Sequence, residues 1–82
     1  MTYEELFDTC YALQLSYVLS AANVDEAAAK NLDLHDQQYE ADKAKWATLE
    51  GDARRFAKRE ATARYDAAYA VADTIAKRTR LY

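Results

Sequence analysis

The sequence predicts an all-α protein, a small antiparallel three-helix bundle with helices over about residues 3–22, 25–49 and 52–80. Three observations carry that expectation. The chain has no proline and a single glycine, Gly51, whereas turn-rich β structure draws on both residues at its corners. Ala, Leu, Glu, Lys and Arg dominate the composition, and all are good helix formers. Apolar residues recur at helical spacings in three runs separated by capping residues. At 82 residues the chain makes one domain, 1–82, with a modest core.

The first helix starts at Tyr3. Thr2 and Glu5 form an S/T-x-x-E capping box, in which each side chain satisfies a backbone amide that the helix leaves free. Glu4, Glu5 and Asp8 place negative charge at the positive end of the helix dipole. At roughly 100° per residue, Leu13, Leu6, Tyr17, Cys10, Tyr3, Phe7, Val18 and Tyr11 form one broad face, which Leu15 and Leu19 widen further. An amphipathic helix needs an apolar stripe somewhat over about 100° wide, and this one is about twice that. Two readings of the excess follow. Either the first helix is central to the bundle and touched on two sides, or Leu15, Leu19 and tyrosines such as Tyr11 face another protein. The alternation of Tyr11, Leu13, Leu15, Tyr17 and Leu19 also suits a strand, but no other segment offers one to pair with.

The second helix begins at a cap on Asn23 or Asp25, with Asp25 and Glu26 in its first turn. Ala28, Leu32, His35, Tyr39, Asp42, Trp46 and Leu49 then form one narrow seam. Leu34 lies outside that seam and is expected to be exposed. Gly51 supplies a left-handed stop and Asp52 the next cap. A glycine inside a continuous helix costs only about 1 kcal/mol, so one rod of over fifty residues is the competing arrangement, and the break is favoured.

The third helix places Phe56, Ala57, Ala61, Ala67, Ala68, Val71 and Ile75 on one face, interrupted by Arg64. Folding back at Gly51 brings Trp46 near Phe56, Leu32 near Val71 and Ala28 near Ile75. The same pairing puts Asp42 nearer Arg59 than Arg64. Lys77, Arg78 and Arg80 suit the negative end of the dipole. Short connections favour antiparallel neighbours.

Charge is divided along the chain. Residues 1–42 carry nine acids and one base, Lys30, for −8, while residues 43–82 carry ten bases and five acids, for +5. The halves either attract each other in the fold or present opposite signs to partners. The uncharged run from Thr9 to Val24 is shorter than the ~20 residues of a membrane span. The acidic residues before it do not suit a signal peptide. Together with the lone Cys10, expected to be a small buried hydrophobe, this points to an intracellular, cytoplasmic setting.

No constellation for catalysis is expected, and no cofactor or metal. A phosphate-binding loop needs several glycines, a zinc site at least three ligands, and a di-iron bundle Glu-x-x-His motifs. His35 belongs to the seam of the second helix, where a structural role fits better than that of a base. A non-enzymatic protein–protein interaction module is the leading expectation: a small inhibitor, adaptor or assembly factor of the kind phages and mobile elements encode, with anti-CRISPR-like action as a special case. Its partner, another protein, would meet Tyr11, Leu15 and Leu19 of the first helix or Asp33, Asp36 and Glu40 of the second. The alternative is a structural homo-oligomer such as a virion component. A second alternative is nucleic-acid binding through Arg54, Arg55, Lys58 and Arg59, which share a roughly 140° arc with Tyr65 and Tyr69 at its edge. Asp66 and Asp73 interrupt that arc. Seven tyrosines are many for this length and suit both interface and core rim.

Overall fold

Three helices form in chain order, α1 over Tyr3–Leu19, α2 over Val24–Trp46 and α3 over Gly51–Arg80. The computed structural model describes residues 2–80, with side chains through Arg78. The expected dipole partner Arg80, as a side chain, and Tyr82 lie outside the described residues. The capping box forms as expected, with the Thr2 side chain accepting from the Glu5 amide at 3.2 Å and the Thr2 amide donating to Glu5 Oε1 at 3.3 Å. Asn23, rather than Asp25, caps α2, accepting from the Glu26 amide at 3.0 Å.

The bundle runs up, down, up. Gln14 meets Asn31 and Val18 meets Ala28, so partners move backwards along α2 as α1 advances. Asp42 meets Arg64, Tyr39 stacks on Tyr65, and Ala28 packs with Val71 and Ile75, which makes α2 and α3 antiparallel. The break at Gly51 is present: its φ is 60°, in the left-handed region that glycine enters without steric penalty.

The central helix is α3, not α1. Both other helices pack extensively on α3 and touch each other far less. The sequence explains why. Alanines at 61, 63, 67 and 68 are all buried, and side chains that small let two helices approach one backbone from different sides. Ala63, absent from the expected face, is buried because that face has to serve both neighbours. Val18, Ala28, Val71 and Ile75 form the core cluster, with Tyr11, Leu15, Val24 and Ala27 packed around it. Burial of the two valines contributes about 1.5–3 kcal/mol each relative to exposure.

The hinge pairing differs from the expected one by a few residues. Helix α2 ends at Trp46, not Leu49. The chain then turns through Thr48 and Leu49, whose amides reach back to the Lys45 and Trp46 carbonyls. This longer connection slides α2 along α3. Asp42 therefore meets Arg64 at 3.2 Å rather than Arg59, Trp46 shares a cleft with Ala57 and Glu60, and Phe56 is left 53% exposed. Arg64 leaves the apolar face by reaching sideways, also approaching Glu60 at 3.6 Å. Among the described residues, no helix is long and apolar enough to cross a membrane. The longest dimension, 48 Å, is close to the ~45 Å of a 30-residue helix.

Candidate interaction face

The weak contact between α1 and α2 opens a groove along one side of the bundle. Its lining comes from Tyr17 and Ala21 on the α1 side and from Ala27, Lys30, Asn31 and Leu34 on α2, around about 430 Å³ of open space. Tyr17 and Leu34 are 67% and 62% exposed, and Leu13, one turn from Tyr17 on the same helix surface, is 67% exposed. The chain thus leaves three large apolar side chains in water on adjacent helices. Scattered exposed apolar residues are ordinary on a protein surface. Two lining one groove, with a third one turn along the same helix, are not.

The floor of the groove is polar and closed. Asn31 Nδ2 donates to Gln14 Oε1 at 2.9 Å, and Gln14 Nε2 donates to the Arg64 carbonyl at 3.2 Å. Both side chains are buried. A buried amide left without partners costs about 1–3 kcal/mol, so the mutual bond fixes α1 and α2 at one relative height on α3. Sequence reading missed both residues. Their only signal was a polar residue beside each apolar seam, the same signal that a solvent-facing residue gives.

The outer surface of α1 carries little charge. Thr9, Ala12, Leu13, Ser16, Tyr17 and Ser20 are all exposed, and none is an acidic or basic residue. Beyond Leu34 on α2, Gln37, Gln38 and Ala41 are also exposed. The one charged pair on the lining is Lys30 with Glu26, 3.0 Å apart and well exposed.

The sequence-derived candidates fall elsewhere. Tyr11 and Leu15 are half-buried against the core, because α1 turns its Leu15 flank toward α3. The Tyr11 hydroxyl lies 2.8 Å from Thr74 Oγ1. Leu19 remains 44% exposed on the flank away from the groove. The apolar excess of α1 therefore emerges at Leu13 and Tyr17, on the α2 side. Asp33, Asp36 and Glu40 are exposed as a group, yet each has an intramolecular partner. Asp33 accepts from Gln37 at 3.1 Å, Glu40 pairs with Lys43 at 3.2 Å, and the Asp36 carboxylate lies near the Tyr65 hydroxyl.

Arg54, Arg55, Lys58 and Arg59 are exposed near the start of α3, away from the groove. Arg55 lies 3.7 Å from Asp52. Beside them runs an aromatic strip in which Tyr39 stacks on Tyr65 at 4.4 Å, Tyr65 meets Tyr69 edge-on at 4.9 Å, and Lys43 sits 4.9 Å from the Tyr39 ring centre. The hydrogen bond to Tyr69, with burial and Asp36 adding to it, raises the Tyr65 phenol above its ordinary pKa.

Cys10 is half-buried. Burial pushes its thiol up, with Arg64 pulling the other way. Among the described residues, no group of three or more His, Cys, Asp or Glu side chains converges as a metal site would. Comparison with protein-family models, curated proteins and solved structures returns no match to this chain.

Proposed function

We propose that the protein is a non-enzymatic protein–protein interaction module whose contact face is the α1–α2 groove. The observation that carries this reading is the exposure of Tyr17 and Leu34 on the lining of one groove, with Leu13 exposed one turn from Tyr17. Contiguous apolar surface of a few hundred Å², rimmed by polar groups, marks sites where proteins meet. Tyrosine at its centre adds a large rigid contact at little cost in rotamer freedom. Inhibitor, adaptor and assembly roles all use such a face. The acidic surface at Asp33, Asp36 and Glu40 is a separate candidate contact on α2.

The nucleic-acid reading has less support. Arg54, Arg55, Lys58 and Arg59 are accessible, but Asp52 sits beside Arg55 and the chain as a whole carries −3, which opposes approach to phosphate.

A photo-crosslinking amino acid placed at Leu13 or Leu34 tests the proposal in native cells. Irradiation should join the chain covalently to a polypeptide, and the same probe at Arg55, near the start of α3 and away from the groove, should not. Probes at 13 and 34 that capture no polypeptide would end the interaction reading of this groove.

A further inference from the structure

We infer that the occupant of the α1–α2 groove is a second copy of the same chain, docked about a two-fold axis. This rests on the interaction reading above and names its partner. A two-fold interface sets one surface patch against itself, so every charge on it meets its own image or a close neighbour. Most surfaces of this chain would resist that, with nine acids in residues 1–42 alone. The α1–α2 face does not. Thr9, Ala12, Leu13, Ser16, Tyr17 and Ser20 carry no charge, and Leu34 continues the apolar surface on the neighbouring helix.

The single charged pair on the lining is self-complementary. Glu26 and Lys30 stand one helical turn apart, 3.0 Å from each other and exposed. Across a two-fold axis, Lys30 of one copy can meet Glu26 of the other, and both ion pairs exchange without an unpaired charge. A foreign partner would need an opposite charge pattern to be selected by this rim. A second copy already has one.

Shape agrees with charge. Ala12, Ser16 and Ser20 are small and lie beside the exposed knobs Leu13 and Tyr17, so knobs of one copy have low ground to enter on the other. The groove of about 430 Å³ is roomy enough for such side chains. A standard interface buries about 800 Å² per partner. Leu13, Tyr17 and Leu34 supply its apolar centre, and the uncharged residues of α1 with Gln37 and Gln38 of α2 supply its rim.

The test is sedimentation equilibrium on the purified full chain from low to high micromolar concentration, in parallel with far-ultraviolet circular dichroism. Wild type should reach twice the 9.3 kDa chain mass. Leu34→Glu and Leu13→Glu should stay at the monomer mass with unchanged helicity, because both positions are mostly in solvent. Phe56→Ser, removing an exposed apolar group elsewhere, should leave the dimer intact. Lys30→Glu should weaken association about tenfold or more by placing acids against acids, and adding Glu26→Lys should restore it. A wild-type chain that stays monomeric throughout overturns the inference, as does a dimer indifferent to both leucine substitutions. Crosslinks in native cells to other polypeptides, combined with a monomeric purified chain, would sink the self-association claim and keep the interaction module.

Discussion

Two tyrosines, Tyr3 and Tyr11, tie α1 to α3 through their hydroxyls rather than their rings alone, and the titration of Tyr3 exposes the arrangement. The Tyr3 hydroxyl donates to the Asp66 carboxylate. That hydrogen bond, with partial burial and the Asp66 charge adding to it, has its phenol pushed up to about 12 from an ordinary 10. The folded state therefore favours the neutral phenol. Its stabilisation is complete below pH 10 and is lost as pH rises from there toward 12. Tyr65 shifts the same way through Tyr69. Tyr17 and Tyr69 stand mostly in solvent. An absorbance titration of tyrosinate at alkaline pH should accordingly show a late-ionising group, and Tyr3→Phe should remove one equivalent from it while helicity at neutral pH changes little. If Tyr3→Phe removes absorbance only from the ordinary phase near pH 10, the Tyr3–Asp66 bond does not form in solution. Asp66 was read from sequence as an interruption of a basic arc. It is also the acceptor that ties the start of α1 to α3.

Helix boundaries decide which side chains meet, and Gly51 is the boundary with the least freedom. Its φ of 60° suits glycine, and a Cβ there would meet nothing within 4 Å. Gly51→Ala therefore introduces backbone strain without a clash, about 1–2 kcal/mol. For a domain of this size that corresponds to a fall of about 4–16 °C in Tm, read by thermal circular dichroism. An unchanged or raised Tm would mean that α2 and α3 join as one rod, the arrangement that competed at the sequence level. The bundle, the capping box, the Asn23 cap and the exposure of Leu34 were all legible, because each depends on residues within one or two turns. What was not legible depended on which helix lies between the others. Leu13 and Tyr17 share a wheel sector with buried Gln14, and only the splay of α1 from α2 leaves them in water. Leu15 looked like excess surface until α3, rather than α1, became the centre. The Asp42–Arg64 pair was missed because α2 stops at Trp46 and the hinge is longer than one glycine implies. Pattern fixes a face to within about a third of a turn, and the site lies at the edge of that tolerance.

At the scale of the molecule, core size and apolar surface are linked. The core is built from small side chains: five of its nine apolar members are alanines at 28, 61, 63, 67 and 68, and the largest fully buried ones are Val18 and Val71. Alanine brings helices close but buries little area, at about 25 cal/mol per Å² removed from water. Meanwhile Leu13, Tyr17 and Leu34 leave apolar area in solvent. A chain of 82 residues has a narrow margin to begin with, and here area that could enlarge it stands outside the core. Docking of a second copy would bury that area and add its binding free energy to folding, since only the folded chain presents the groove. Thermal stability should then rise with protein concentration. Over a hundredfold increase spanning the dimer dissociation constant, wild-type Tm should climb by several degrees and Leu34→Glu should show no slope. A wild-type Tm independent of concentration would leave stability to the contacts within one chain, and the groove would have to await a foreign chain.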